Sequence, residues 1–290
     1  MLKPLGTLMM NAREAKAAAR PPSEEGAVRV VPPVEDMEEG AVVKSAARVL
    51  RILEFFDEVQ RDARVTEIAA HLKFPQSSTS ALLKSLAQLG YLDYDRVRRT
   101  FLPTARVALL GTWLKEGPVH DGRLLRLMED LSEKTHDTII LAVRNGIYSQ
   151  YIHVIQALTP IRYHVPQGSR RLLAWSGSGF ALLTQSADKE IRAVVARTNA
   201  EAPEGRTPID LRATLEHVHQ AQRDGYFFSR ALVTPGAGAI AVSLPPGLER
   251  RNRPMAIVVS GVLEDLERRE DQLVSLMQDA VDRYLVTDCG

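Results

Sequence analysis

Serine residues with neighbouring glycines could supply a nucleophile. Ser176-Gly177-Ser178-Gly179 has the small residues of a nucleophile elbow, but the Gly-x-Ser-x-Gly pattern requires glycine where Ser176 and Phe180 stand. We therefore place an acyl-transfer enzyme with Ser178 as nucleophile last among three hypotheses, and we expect no enzymatic activity.

The sequence also contains no convincing pattern for a metal site or a dinucleotide site. His217 and His219 are two residues apart on a predicted helix, where their side chains face apart, so they are a poor metal pair. Gly236-Ala237-Gly238 precedes a predicted strand, whereas a dinucleotide loop opens a helix. The single cysteine, Cys289, excludes a disulfide within one chain and fits a cytoplasmic location. We expect no cofactor and no metal.

Small polar side chains in the first half could read nucleic acid. Thr66 to Leu92 predicts two helices, the first capped by Thr66 and the second starting near Gln76, because Pro75 cannot continue a helix. The second helix opens with short hydrogen-bonding residues that would let its backbone approach the major groove. The alternative is an ordinary amphipathic helix pair with serine caps. The candidate DNA contacts on these helices are Thr66, Gln76, Ser77, Ser78, Ser80 and Lys84.

Arginines occupy the tip of a predicted hairpin that follows the helix pair. Tyr91 to Leu102 predicts two short strands around a charged tip, and a longer loop is expected because the tip lacks the Asn-Gly of a tight turn. Arg96, Arg98 and Arg99 would contact phosphates or the minor groove as a wing, unless they are only a solvated charge run. A helix from Ser45 to Glu58 would complete a three-helix core.

The charge distribution agrees with a DNA-binding first half. The 290-residue chain has a net charge of +1, but Lys44 to Glu116 holds twelve Lys/Arg against eight Asp/Glu, a local net charge of +4, which leaves −3 for the rest. Residues 1–42 lack aromatic side chains and a sustained period, so they predict a disordered extension. Arg106 to Lys115 predicts a linker helix that Gly117-Pro118 ends. No apolar run approaches the length of a membrane span, and we expect no membrane partner.

The second half predicts an α+β fold with an antiparallel sheet. Asn145-Gly146 between two apolar, β-rich segments is a strong hairpin signal, and long helices flank the strands. The predicted strands are Thr138–Val143, Ile147–Ile155, Ile161–Val165, Tyr226–Phe228, Ala239–Leu244 and Met255–Val262, and the flanking helices are Asp121–Lys134 and Leu263–Leu285.

Several segments, in this order, resemble one known family. They are AARVLRILEFF, LKFPQSSTSALLKSLAQLGYL, FLPTARVALLG, VPQGSRRLLAWSGSGFALL and GYFFSRALVTPGAGAIAVSLP followed by MAIVVSGV. From about Val43 to Leu285 the chain resembles the IclR family of bacterial transcriptional regulators. The resemblance implies a winged helix-turn-helix DNA-binding domain at 43–103, a linker helix at 104–118 and a GAF-like effector-binding and oligomerisation domain at 119–290. It also implies dimers, often paired into tetramers, on palindromic operators.

The chain departs from the family pattern in its first half. Lys73 stands where the family often has Gly, so either it adopts a left-handed conformation or the turn differs. Ala81 stands where an Arg is common, and Lys84 and the wing arginines would compensate for the missing contact.

The resemblance also implies an effector pocket. The matching positions are Gly177, Ser178, Ser229, Ala239, Val258 and Ser260. Ser229 replaces an acid and Val258 replaces a serine, which suggests a larger and less polar effector, such as an aromatic or amphipathic acid. Trp175, Tyr163 and Phe228 would line such a pocket, or would only pack in the core.

We therefore predict a ligand-responsive DNA-binding transcriptional regulator, with repressor favoured over activator. Its expected partners are double-stranded DNA with a palindromic operator, a small-molecule effector, and further copies of the chain in a homodimer or dimer of dimers. The second hypothesis is a ligand-binding or scaffold protein whose winged helix mediates protein contacts.

Overall fold

The computed structural model describes residues 29–30, 43–113, 118, 120–159, 163–248 and 253–286. The predicted disordered extension, 1–42, lies outside these residues except for strand β1 (Arg29–Val30), which pairs in parallel with β6 (Tyr163–His164). The start of the strand predicted at Ile161 also lies outside them.

The first part of the chain forms a winged helix-turn-helix fold, as predicted, and one short helix, α4, follows it. Apolar residues from all three helices and both wing strands meet in one core, which includes Ile52, Phe55, Ile68, Leu83 and Phe101. The elements are α1 (Lys44–Val59), α2 (Val65–Leu72), α3 (Gln76–Gln88), the antiparallel wing strands β2 (Leu92–Asp95) and β3 (Thr100–Pro103), and α4 (Ala105–Leu109).

Two details of the helix starts differ from prediction. Helix α2 begins one residue before Thr66, with Arg64 in extended geometry as its N-cap residue, so Thr66 does not cap it. Helix α1 likewise begins at Lys44, after Val43. Neither N-cap side chain accepts a hydrogen bond from the helix, so packing in the apolar core holds these helices rather than side-chain capping.

The predicted linker helix is shorter than expected. Helix α4 ends at Leu109, residues 110–113 form turns, and Lys115 lies outside the described residues. Thr104 caps the helix by accepting a hydrogen bond from the Arg106 N–H. Gly111 contributes to the early end, because glycine has low helix propensity.

Lys73 adopts the left-handed conformation in the turn between α2 and α3, with φ 54° and ψ 38°. Its N–H donates to the Ala70 carbonyl at 3.3 Å, and the Phe74 N–H donates to the Ala69 carbonyl at 2.9 Å. A left-handed residue with a Cβ costs about 1–2 kcal/mol, and the turn therefore holds Lys73 where glycine would be unstrained.

We expect Lys73→Gly to stabilise the protein by about 0.5–1 kcal/mol, because relief of strain exceeds the added entropy of the unfolded chain. Lys73→Ala is the matched control, since it removes the same charge but keeps the Cβ. Urea unfolding followed by circular dichroism measures both variants. Equal stability of the Gly and Ala variants would contradict the strain.

A second unit follows, built on a six-stranded sheet with strand order β7-β5-β4-β10-β9-β8 and every pairing antiparallel. The fold class is therefore α+β, as predicted. Its elements are α5 (Arg123–Thr135), β4 (Thr138–Asn145), β5 (Tyr148–Ile155), β6, β7 (Arg170–Leu172), α6 (Gly177–Leu183), α7 (Asp188–Ala200), α8 (Leu211–Asp224), β8 (Phe227–Arg230), β9 (Ala237–Ser243), β10 (Met255–Val262), α9 (Leu263–Arg268) and α10 (Glu270–Val281).

Helices cover both faces of this sheet. On β4, Ile139 and Leu141 join the core formed with α5 and α10, whereas Ile140 and Ala142 join the core formed with α6, α7 and α8. Successive residues of a strand point to opposite faces, so a strand buried on both faces reads as a continuous apolar run. The helix predicted from Leu263 to Leu285 is interrupted at Arg269, between α9 and α10.

No helix in the described part of the chain is both long and apolar enough to cross a membrane.

His217 of α8 packs against Phe180 and Phe227, with ring centroids 4.9 Å and 5.3 Å away. Burial lowers the pKa of His217, and Glu216 partly opposes this effect. Below the ordinary histidine pKa of about 6.5, the unfolded chain binds the proton first. The free energy of unfolding should therefore decrease as the pH falls from 6.5 towards the lower pKa of the folded state.

We expect His217→Gln to flatten this pH dependence. Thermal unfolding at several pH values between about 7.5 and 5.5 measures it. His219→Gln is the control, because His219 lies on the same helix as His217 but faces a different neighbour, the Asp188 carboxylate of α7 at 2.9 Å. If the stability of the His217 variant depends on pH as strongly as that of wild type, groups other than His217 cause the pH dependence.

Candidate functional site

Helix α3 has one face in the core and one face in solvent. Thr79, Leu83 and Leu86 are buried, and the Thr79 hydroxyl donates to the Pro75 carbonyl at 3.0 Å. The opposite face is polar and small, apart from one lysine. Of the predicted contact residues, Gln76, Ser77 and Lys84 are exposed, Ser78 and Ser80 are half-buried, and Thr66 is exposed on α2; Ala81 is exposed beside them.

The wing tip is a four-residue loop, 96–99, shaped by Asp95. The Asp95 carboxylate accepts hydrogen bonds from the Val97 N–H at 2.7 Å and the Arg98 N–H at 3.0 Å. These bonds hold the pKa of Asp95 below its ordinary value. Arg99 is left-handed, with φ 57°, and closes the loop in place of glycine. Arg96, Arg98 and Arg99 are all exposed.

Helix α4 is attached to the C-terminal end of α3. The Arg106 guanidinium donates to the Leu89 carbonyl at 2.7 Å and stacks on the Tyr91 ring at 4.6 Å. The Thr104 hydroxyl donates to the Gly90 carbonyl at 2.6 Å. These contacts join the segment after the wing to the end of the helix whose polar face is exposed.

A cavity of about 60 Å³ lies between the start of α6 and the sheet, on the face that α6 covers. It gathers five of the six residues predicted for the effector site: Gly177, Ser178, Ser229, Ala239 and Ser260. Val258 differs from the prediction. It is buried in the core under α6 and is not among the residues that line the cavity.

Arg171 adds to the cavity wall a charged group that the sequence analysis did not include. Arg171 lies on β7 opposite Ser149 of β5, and only 3% of its surface is exposed. Burial lowers the pKa of its guanidinium below the ordinary value. Sequence reasoning missed this residue. The available signal was the pair Arg170-Arg171 at the start of an apolar segment, since alternation in a strand turns one of two neighbours inward.

Hydroxyl groups form a cluster beside Arg171. The Ser149 hydroxyl donates to the Ser178 Oγ at 2.9 Å, and the Tyr151 hydroxyl and the Ser176 Oγ each lie 3.5 Å from the same atom. Ser176 also accepts from the Gly179 N–H and thereby caps α6. The partners of Ser178 are thus hydroxyls, and no histidine in the described part of the chain pairs with it as a general base.

The aromatic residues suggested for the pocket lie elsewhere. Phe228 packs in the core on the opposite face of the sheet, and Trp175 is exposed to solvent. Tyr163 is buried, and its hydroxyl donates to the Pro235 carbonyl at 3.1 Å. The rings therefore do not make this a large aromatic pocket. The described residues also contain no cluster of three or more histidine, cysteine or acidic side chains suited to a metal ion.

Two family models match the chain. The IclR helix-turn-helix domain matches residues 45–96, and the bacterial transcriptional regulator IclR C-terminal domain matches residues 123–284. The HTH-type transcriptional repressor AllR of Escherichia coli strain K12 is 25% identical over 209 residues, which span 68% of this chain and 73% of that protein.

Solved structures share the fold. The Thermotoga maritima IclR is 16% identical, with a TM-score of 0.56 over 83% of this chain and 97% of that one. An IclR homologue from Microbacterium hydrocarbonoxydans, complexed with 4-hydroxybenzoate, is 18% identical, with a TM-score of 0.51 over 82% of this chain and 95% of that one. With both units matched by family models, the chain belongs to the IclR family of bacterial transcriptional regulators.

Proposed function

We propose that the protein is a transcriptional repressor that binds double-stranded DNA through α3 and the wing. Binding of a small-molecule effector in the cavity changes its affinity for DNA. The polar, exposed face of α3 beside an arginine-bearing loop is the observation that carries this proposal. The similarity to the AllR repressor favours repression over activation.

The proposed contacts divide into two kinds. Gln76, Ser77 and Ser80 are short enough to bring the start of α3 against base edges in the major groove, with Thr66 and Ser78 beside them. Lys84, Arg96, Arg98 and Arg99 supply the positive charges that neutralise phosphates or enter the minor groove. Because Ala81 has no long side chain, the wing carries more of the affinity.

A dimer on a palindromic operator fits the apolar surface that follows the wing. Leu109, Leu110 and Trp113 are 62%, 53% and 65% exposed, and a second copy would cover them. We propose a homodimer or dimer of dimers, with half-sites about one helical turn or a multiple apart. The proposed units are 43–103 for DNA, 104–118 for the linker and 119–290 for effector and oligomer contacts, acting in the cytoplasm.

Coupling between effector and DNA would use the linker. Effector binding shifts the population of dimer arrangements, and each arrangement sets the spacing of two α3 helices. The bonds from Arg106 and Thr104 to the end of α3 make the linker move with its helix.

The effector is proposed to be a small amphipathic acid. Ile140, Val165 and Val233 give the cavity an apolar wall, and serine and tyrosine hydroxyls with Arg171 give it a polar one. The 4-hydroxybenzoate bound by the Microbacterium relative has this character and is a suitable first probe.

We expect Lys84→Ala and Arg98→Ala each to weaken DNA binding and to reduce the slope of log affinity against log salt by about 1 per lost phosphate contact. Arg192→Ala removes one exposed cation from α7 and is the matched control, with no change expected. Fluorescence anisotropy over a salt series measures the slopes. Unchanged slopes in both variants would remove these residues from the interface.

Footprinting of genomic fragments retained by the full-length protein tests the function. We expect a sequence-specific, palindromic footprint. Its absence would favour the second hypothesis, a ligand-binding protein whose winged helix contacts proteins.

A further inference from the structure

Arg171 is a buried cation with an incomplete set of partners. Its Nη1 donates to the neighbouring Arg170 carbonyl at 2.9 Å, whereas its Nη2 is buried and has no hydrogen-bond partner among the described residues. The guanidinium lies 5.8 Å from the centre of the Tyr151 ring. Among the described residues that line the cavity, Arg171 carries the only charge, and no acidic side chain faces it.

A guanidinium in this position is unfavourable without an anion. Buried charges in proteins are normally paired, because desolvation disfavours the charged form. Arginine remains protonated nonetheless, and its planar fork matches a carboxylate in shape and charge. The cavity is therefore complementary to a group that the chain itself does not provide.

We infer that Arg171 is the anchor for the effector's carboxylate, and that the cavity selects acids with a single carboxylate group. This assignment rests on the proposed function only in taking the cavity as the effector site. Arg171 is then a specificity-determining residue for charge, and the serine positions play a different part.

The remaining wall explains the limit to one carboxylate. Beyond Arg171, the described lining consists of aliphatic side chains, backbone and neutral hydroxyls such as those of Ser176, Ser178 and Thr234. Hydroxyls satisfy a ligand hydroxyl or carbonyl oxygen, but they do not neutralise a second buried carboxylate. Dicarboxylates and uncharged amides of the same shape should both bind poorly.

The test uses the full-length protein and matched sets of named probes at constant ionic strength. Acetate, pyruvate, benzoate and 4-hydroxybenzoate are compared with their amides and with malonate and terephthalate, by thermal shift and then by calorimetry. We expect at least one monocarboxylate to raise Tm by several degrees, with its amide and the dicarboxylates binding at least tenfold more weakly.

The variants assign the effect to Arg171. Arg171→Met should weaken the monocarboxylate at least tenfold, and Arg171→Lys should restore part of the affinity, because it keeps the charge but loses the fork. Arg170→Met should bind as wild type, because the Arg170 guanidinium stacks on Tyr148 at 4.5 Å. If Arg171→Met does not fold, the affinity of Arg171→Lys for the monocarboxylate is compared with that of wild type instead, and a weaker affinity is expected.

Three outcomes would overturn the inference: no shift with any monocarboxylate, equal binding of acid and amide, or wild-type binding by both Arg171 variants. Footprinting remains an independent readout. A footprint without acid binding at Arg171 would overturn this inference and leave the repressor standing. Acid binding at Arg171 without a footprint would support this inference and contradict the proposed repressor function.

Discussion

Gly179→Ala should unfold or strongly destabilise the effector-binding unit, at a cost of about 3 kcal/mol or more. A Cβ at Gly179 would lie 2.2 Å from the Leu173 carbonyl oxygen and 2.5 Å from the Leu173 Cα. Both are backbone atoms of the short 3-10 helix Leu173–Trp175 that precedes α6, so no side-chain rotation relieves the clash. Separation of the two segments would also open the cavity at Ser176 and Ser178.

Thermal unfolding should show Tm lowered by about 6 °C or more for a unit of this size. Gly111→Ala is the matched control, because a Cβ there meets nothing within 4 Å. It makes the same chemical change and should leave Tm unchanged or slightly raised. A Gly179→Ala protein as stable as wild type would mean that α6 does not pack this closely on the preceding turn.

Arg171→Met should have two effects of opposite sign. In the absence of an acid, the variant should be more stable than wild type by about 1–2 kcal/mol, because it removes a buried cation that lacks a full set of partners. Loss of the contact with the Tyr151 ring offsets part of this gain. The same substitution should abolish stabilisation by monocarboxylates. At saturating acid, wild type should therefore be more stable than the variant.

Thermal scans with and without acid distinguish this pattern from a simple packing defect, which would lower Tm in both conditions. Arg170→Met is the control, since Arg170 is half-buried on the same strand and stacks on Tyr148. A lower Tm for Arg171→Met without acid would show that the guanidinium is satisfied in the free protein.

Much of the fold could be predicted because its signals are local. Strand β10 was predicted with the observed bounds, Met255–Val262, from a continuous apolar run. Pro75 indicated the break between the two helices and Gly90 the end of the second, because the backbone preferences of proline and glycine are intrinsic to the residue. The linker helix was predicted too long, because its apolar period continues through residues that the structure places in turns.

The site was harder to predict, because its residues meet only in three dimensions. Resemblance supplied five cavity residues on α6, β8, β9 and β10. It did not supply Arg171, because the prediction of a less polar effector considered only Ser229 and Val258, which replace polar family residues. Arg171 and Tyr151 come from the β7–β5 edge, and only the strand register shows that they face the same cavity.

The pairing of β4 with β10 has a consequence for the order in which the chain folds during synthesis. The central strands of the sheet, Thr138–Asn145 and Met255–Val262, are adjacent in space but lie at opposite ends of this unit's sequence. The helix-turn-helix core closes within residues 52–101. On the ribosome, the DNA-binding unit can therefore fold early. The edge of β4 that pairs with β10 stays unpaired until β10 has been synthesised. A nascent or truncated chain would thus acquire its DNA-reading surface before it could respond to any effector.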